Sequence, residues 1–293
     1  MDEFPQLEKV VKALDSVRDF MIGPYYRERV EALDRLDAYD LDSPLPRGDV
    51  KADQEQVYRR ARALKAELET ANSKFYENLR EAVRLRPQHD VLLRWTPQPG
   101  EHEGGEASGS ADSYDYLDEL ASGVLRFAAP ETPKVSLSAE MVAYQPTPAR
   151  HIFELCHRMK FEREDVFIDL GCGLGHVPLL IAACTSAQTV GIEIEPAYVE
   201  VARRCAVELH LSQATFLAQD AREADISRGT VFYLYTPFRG AILRAVLDRL
   251  RDRAHRRAIR VCTFGPCTPI VDAESWLVHD PMESGHISVF RSR

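Results

Sequence analysis

Three features are scarce in this 293-residue chain, and each scarcity removes a class of function. Its longest strongly apolar run, Val177 to Cys184, falls far short of the roughly 18 residues that a membrane-crossing helix requires. Positive charge is not in surplus, because Lys and Arg number 37 against 46 Asp and Glu and the formal net charge is -9. A global cationic surface for nucleic acid or anionic lipid is therefore excluded. Cysteine is sparse and badly spaced for metal or redox work: Cys156, Cys172, Cys184, Cys205, Cys262 and Cys267 form no CxxC and have no histidine at zinc-finger spacing. Most sit in apolar runs, so they read as buried reduced thiols, and no metal site is expected. The start, Met1-Asp2-Glu3-Phe4, lacks a basic segment followed by an apolar one, and a cytoplasmic location is the expectation.

What remains is ordinary globular material, 45% hydrophobic and 28% charged, long enough for one large domain or two modest ones. Apolar residues at Leu7, Val10, Val11, Leu14, Val17 and Met21 trace the stripe of an amphipathic helix. Similar stripes at Tyr26, Val30 and Leu33, at Val57, Ala61 and Leu64, and at Phe75, Leu79 and Val83 predict three or four helices across residues 5–86. Gly23-Pro24 and the stretch from Asp42 to Gly48 mark breaks. Residues 96–113, rich in Gly, Ser and Pro, read as a mobile loop, followed by a helical stripe from Tyr114 to Phe127.

Beyond Val135 short β-branched runs alternate with helical stripes, the pattern of βα units around a mostly parallel sheet. Seven strands are predicted: 166–170, 189–193, 214–218, 230–235, 258–264, 276–279 and 286–290. Helices are expected at 148–159, 175–184, 196–209 and 240–250, the first with Thr147 as N-cap. The last two strands are joined by a turn too short for a crossover, so they must pair antiparallel. The expected fold is α/β, a Rossmann-like seven-stranded sheet with an antiparallel last strand, preceded by an all-helical N-terminal region.

Chemistry concentrates at Val166-Phe167-Ile168-Asp169-Leu170-Gly171-Cys172-Gly173-Leu174-Gly175-His176, where a strand runs into a glycine-rich turn and a helix. Glycines there let backbone amides approach a ligand, and the helix start adds unpaired N–H groups. The third glycine comes one residue earlier than in a dinucleotide fingerprint. Asp169 precedes the loop, and a carboxylate suits a cationic ligand better than a pyrophosphate.

Asp169-x-Gly171-x-Gly173-x-Gly175 resembles motif I of the class I S-adenosylmethionine-dependent methyltransferases. Val190-Gly191-Ile192-Glu193 is similar to the end of that superfamily's second strand, which implies Glu193 on the two ribose hydroxyls. Gln219-Asp220-Ala221 looks like its adenine-edge motif, and Tyr235-Thr236-Pro237-Phe238 stands where the family opens toward the methyl group. The resemblance covers about residues 140–293 and implies S-adenosylmethionine as cofactor and S-adenosylhomocysteine as product. Its implied cofactor residues are Asp169, Gly171, Gly173, Gly175, Glu193, Asp220, Ala221 and Thr147, with Tyr235 and Tyr144 beside the transferred methyl.

Family members that methylate planar amines often carry Asp, Asn or Ser followed by Pro-Pro and an aromatic at the fourth strand. Only the Pro237-Phe238 half stands here, so nucleobase or glutamine nitrogen is not the implied acceptor. The expected activity is methyl transfer to O or N of a small molecule, ahead of a protein side chain. Nucleic acid and membrane are not expected partners, and a homodimer is. Non-SET histone-lysine methyltransferases share such a core and a helical N-terminal region, but their distinctive motifs are not evident. Two alternatives stand: intramolecular displacement on the same cofactor, releasing methylthioadenosine, and a non-catalytic binding scaffold. Residues 1–135 are expected to form a helical cap, substrate or dimer region, and 136–293 the cofactor-binding domain.

Overall fold

The computed structural model describes residues 4–16, 25–43, 52–85, 90–98 and 115–293. The breaks expected at Gly23-Pro24 and at 44–48, and most of the loop expected at 96–113, lie outside the described residues. The chain divides into two compact units, Met1–Asn78 and Leu79–Arg293. This division falls well before residue 135, where the composition shifts, and helix 116–125 belongs to the second unit.

In the first unit the described helices are α1 (Phe4–Ser16), α2 (Tyr26–Asp37) and α3 (Ala52–Leu85), the last running past the unit boundary. The stripes at 57–64 and 75–83 are thus parts of one 34-residue helix, since no Gly or Pro interrupts them. Leu7, Val11, Leu14, Ala32, Leu36, Leu41, Ala61, Leu64 and Leu68 form a core, each large side chain contributing about 1.5–3 kcal/mol by burial. Arg29 is buried there, donating to Asn72 Oδ1 at 2.7 Å, with its guanidinium near the rings of Tyr26 and Phe75. Burial pulls its pKa down.

The second unit continues through α4 (Tyr116–Leu125), α5 (Ala149–Arg158), β1 (Val166–Leu170), α6 (His176–Cys184), β2 (Gln188–Glu193), α7 (Pro196–Glu208) and β3 (Ala214–Ala218). It then forms β4 (Val231–Leu234), α8 (Gly240–Ala254), β5 (Arg260–Thr263), α9 (Thr268–Asp272), β6 (Leu277–His279) and β7 (Ser288–Ser292). The strands lie in the order β3-β2-β1-β4-β5-β7-β6, and β7 alone runs against the others. The seven-stranded α/β expectation therefore holds. All of β1 is buried, as a central parallel strand covered on both faces must be, and α6 is buried from Val177 to Cys184, which explains its lack of a polar face. The six cysteines are free and buried.

Two local readings change. Thr147 does not cap α5; Pro148 holds the N-cap position, and the Thr147 hydroxyl instead shares a 2.8 Å hydrogen bond with Tyr233. The α5 amide at Ala149 is capped from a distance by Asp118 Oδ1 at 2.8 Å, while Asp118 Oδ2 closes the capping box of α4. The arginine-rich stretch 249–260, which reads as a solvated face, contains two structural clamps. Arg249 donates to the carbonyls of Ala221 and Ala224, and Arg260 pairs with Asp165 at 2.8 Å.

Candidate functional site

The chain turns from β2 and β3 on one side of β1 to β4 and β5 on the other, so the carboxyl ends of β1 and β4 flank a topological switch point. Crevices for ligands form there in open α/β sheets. A cavity of about 560 Å³ occupies this position. Of the residues the sequence singles out, Tyr144, Thr147, Asp169, Gly171, Glu193, Asp220, Ala221 and Tyr235 line it.

The glycine loop is the floor of one side. Gly171 and Cys172 donate their amides to Ile192 O at 2.8 and 3.0 Å, which draws the loop onto the end of β2. Gly171 and Gly173 both have positive φ, 90° and 52°, where a side chain is strained. Space forbids one too: a Cβ at 171 would stand 2.3 Å from Pro237, and at 173 it would stand 2.2 Å from the Tyr144 ring. Gly173 and Gly175 are not in the cavity wall. Gly173 lies under Tyr144, and Gly175, the N-cap of α6, packs where a Cβ would meet Phe216 and Ala202.

Two acids define the electrostatics of this side. Glu193 is aimed by the backbone, accepting from the Gly173 amide at 2.9 Å and from the Glu195 amide at 3.0 Å, one bond to each carboxylate oxygen. Each oxygen keeps acceptor capacity for a hydroxyl. Asp169 is only 3% exposed, lies between Gly191 and Tyr233 in the sheet, and its pKa is pushed well up, first by burial and then by the nearby Glu193 charge. Among the described residues no hydrogen-bond donor offsets either effect. A buried carboxylate in that state is satisfied by a bound cation or by a proton.

Asp220 is less available than the sequence suggests. Arg222 grips both of its oxygens, at 2.6 Å from Nη2 to Oδ2 and 3.0 Å from Nε to Oδ1, and this hydrogen bonding lowers its pKa. Its carboxylate can still accept at the remaining lone pairs, and Arg249 fixes the loop behind it through Ala221 O.

The opposite side is aromatic and strained. Tyr235 packs on Phe264 at 4.8 Å between ring centroids, and Pro237, Phe238 and Pro266 complete that wall. Thr236 adopts φ 42°, a costly conformation for a β-branched residue, and is held there by donating to Phe264 O and accepting from the Cys267 amide at 3.0 Å. No carboxylate or imidazole occurs in residues 235–239.

Several wall residues escape the sequence reading. His176, which reads as a surface or capping residue, is half-buried, shares a 2.7 Å hydrogen bond from Nδ1 to the Tyr144 hydroxyl, and meets Phe127 edge-on. Desolvation pulls its pKa to about 4, so the ring is neutral at physiological pH. Glu195 is buried and ties the segment at 134–135 to the β2–α7 turn, accepting from the amides of Lys134 and Val135 at 2.7 and 2.8 Å. Its only sequence signal is a place two residues after Glu193.

The set fits S-adenosylmethionine. Its ammonium and sulfonium charges would suit a buried carboxylate, its ribose would suit a carboxylate placed as Glu193 is, and the cavity volume is within the usual range for small-molecule sites.

Residues 161–238 match the family model described as a methyltransferase domain. Over 176 residues the chain is 26% identical to the histone-lysine N-methyltransferase, H3 lysine-79 specific, of Dictyostelium discoideum, covering 53% of this chain. The match spans 9% of that much longer protein. Among solved structures, an RNA methyltransferase from Salinibacter ruber in complex with S-adenosyl-L-homocysteine shares 27% identity at a TM-score of 0.38, over 50% of this chain and 92% of that one. Precorrin-6y C5,15-methyltransferase from Geobacter metallireducens shares 13% at 0.37, over 54% and 93%. Residues 161–238 are thus similar to a methyltransferase domain, and the match carries no further than that.

Proposed function

We propose that this chain transfers a methyl group from S-adenosylmethionine to a nucleophilic O or N, on a small molecule ahead of a protein side chain. The observation that carries the reading is the buried Asp169 carboxylate, raised in pKa by burial and by Glu193 and met by no donor among the described residues, at the mouth of a glycine loop. Asp169 would hold the cationic end of the cofactor, Glu193 the ribose hydroxyls, Asp220 and Ala221 the adenine edge, and Gly171 the close approach of backbone. Gly173, Gly175 and Thr147 would support this set from behind, since their contacts run to Tyr144, to Phe216 and to Tyr233. S-adenosylmethionine supplies an electrophilic methyl group on sulfur.

Tyr235 and Tyr144 would shape the approach of the acceptor. With no acid or histidine at the end of β4, the chain's contribution is alignment and exclusion of water, which suffice when the acceptor arrives as a free amine, whose extra proton passes to water after transfer, or as an already ionised oxygen. The helical region at 1–135 would supply acceptor or partner recognition, because acceptor choice in such folds resides in appended elements. The Dictyostelium relative is a histone-lysine N-methyltransferase, which makes a histone lysine the first protein acceptor to assay.

Titration calorimetry of the full chain with S-adenosylmethionine, S-adenosylhomocysteine and NAD, followed by mass spectrometry of the nucleoside product, tests the reading. Micromolar binding of the first two, none of NAD, and S-adenosylhomocysteine as product are expected. Methylthioadenosine as product would replace methyl transfer by intramolecular displacement, and absence of all binding would leave a scaffold.

A further inference from the structure

Away from the glycine loop, α5 and the turn before β7 bring two imidazoles and a carboxylate together. His151 and Glu154 stand three residues apart on α5, hence on one face of the helix, and His286 comes from the turn that leads into β7. One ligand atom from each lies within 4.8 Å of the other two. The two imidazole rings are 4.5 Å apart between centroids, and the His286 backbone amide points at Glu154 Oε2 at 3.5 Å. The turn presses on the helix so closely that a Cβ at Gly285 would stand 2.2 Å from Glu154 Oε1.

The geometry points to a divalent transition-metal site, best suited to Zn²⁺, that joins α5 to the β6–β7 turn through His151, His286 and Glu154. Imidazole nitrogen and carboxylate oxygen are the donors Zn²⁺ takes, and bonds of about 2.0–2.2 Å put tetrahedral ligand atoms roughly 3.4 Å apart. Metal binding would draw these atoms from within 4.8 Å to that spacing. Arg158 already occupies Glu154 Oε1 at 2.9 Å, which leaves Oε2 as the metal-facing oxygen. A water completes four-coordination, since no fourth protein ligand joins the group among the described residues. Burial of His151 beneath Phe264 at 5.0 Å, and of Phe264 against Tyr235, places the site behind the aromatic wall of the cavity. An ion there would fix the β6–β7 turn and stiffen that wall. The inference is independent of methyl transfer.

The test uses the tag-free full chain stripped with chelator and titrated calorimetrically with ZnCl₂, then with Co²⁺ for its absorption spectrum. One equivalent is expected to bind at micromolar or tighter affinity, raising the thermal midpoint, with a Co²⁺ spectrum of nitrogen and oxygen ligation. His286 is exposed, so His286→Ala should fold normally by circular dichroism and weaken binding at least tenfold, as should Glu154→Gln. Absence of saturable binding, affinity unchanged in both variants, or a thiolate-to-cobalt band from the buried cysteines would each overturn the site.

Discussion

The two sides of the cavity are built on opposite principles. On the β1–β2 side, backbone amides and two carboxylates create a polar surface whose charge is unbalanced among the described residues, because Asp169 is buried beside Glu193 and receives no donor from them. On the β4–β5 side, rings and prolines pack against one another, polar groups are satisfied internally, and the strain at Thr236 is held by two hydrogen bonds. An unbalanced surface waits for a ligand that supplies what is missing. A satisfied one sets shape and excludes water, and so lends itself to positioning rather than proton transfer.

The largest expected effect breaks this contrast at Asp169. Asp169→Asn should weaken S-adenosylmethionine binding by about 10- to 100-fold, the worth of a charge-assisted contact of roughly 1.5–3 kcal/mol, while raising thermal stability near neutral pH. The sign follows from linkage. Folding raises the pKa of Asp169, so the carboxyl favours the fold while protonated and costs stability as pH rises from the ordinary carboxylate range through the raised value. Asparagine never ionises and escapes that cost. Calorimetry and a melting curve on one preparation check both halves, and a variant that melts lower with unchanged affinity would contradict them.

A smaller effect sharpens the same point through pH. Binding a cation favours ionised Asp169, so cofactor affinity should climb with pH across the raised pKa, by up to tenfold per unit, and then level off. In Asp169→Asn that climb should vanish, and titrations at several pH values will show whether it does.

The smallest effect concerns the satisfied side. Thr147→Val leaves the buried Tyr233 hydroxyl without its 2.8 Å partner and should cost about 1–3 kcal/mol of stability. Cofactor affinity should change less than fivefold if Thr147 acts through Tyr233, and a large loss of affinity with an unchanged melting temperature would make Thr147 a direct ligand contact.

Much of this was legible along the chain. The strands at 166–170 and 214–218 coincide with their expected bounds to the residue, flanked by Asp165 and Gly171 and by Gln213 and Gln219. Asp169, the three glycines and Glu193 were visible because glycine spacing and strand-end acids are local signals. Less legible was the division of labour among the glycines, since only folding puts Tyr144 over Gly173 and Phe216 against Gly175. The cap of α5 also escaped, for the carboxylate that supplies it sits on α4.

Sequence by itself determined the alternation of strand and helix, the antiparallel end of the sheet and the chemistry of the glycine loop, all of which follow from periodicity and spacing within short stretches. Tertiary structure decided which hydroxyl bonds Tyr233, which ring shields His176, how firmly Arg222 holds Asp220, and that His151, Glu154 and His286 meet. Those pairings join residues from separate elements or turn on side-chain orientation, and burial alters their charge states in ways that no local pattern encodes.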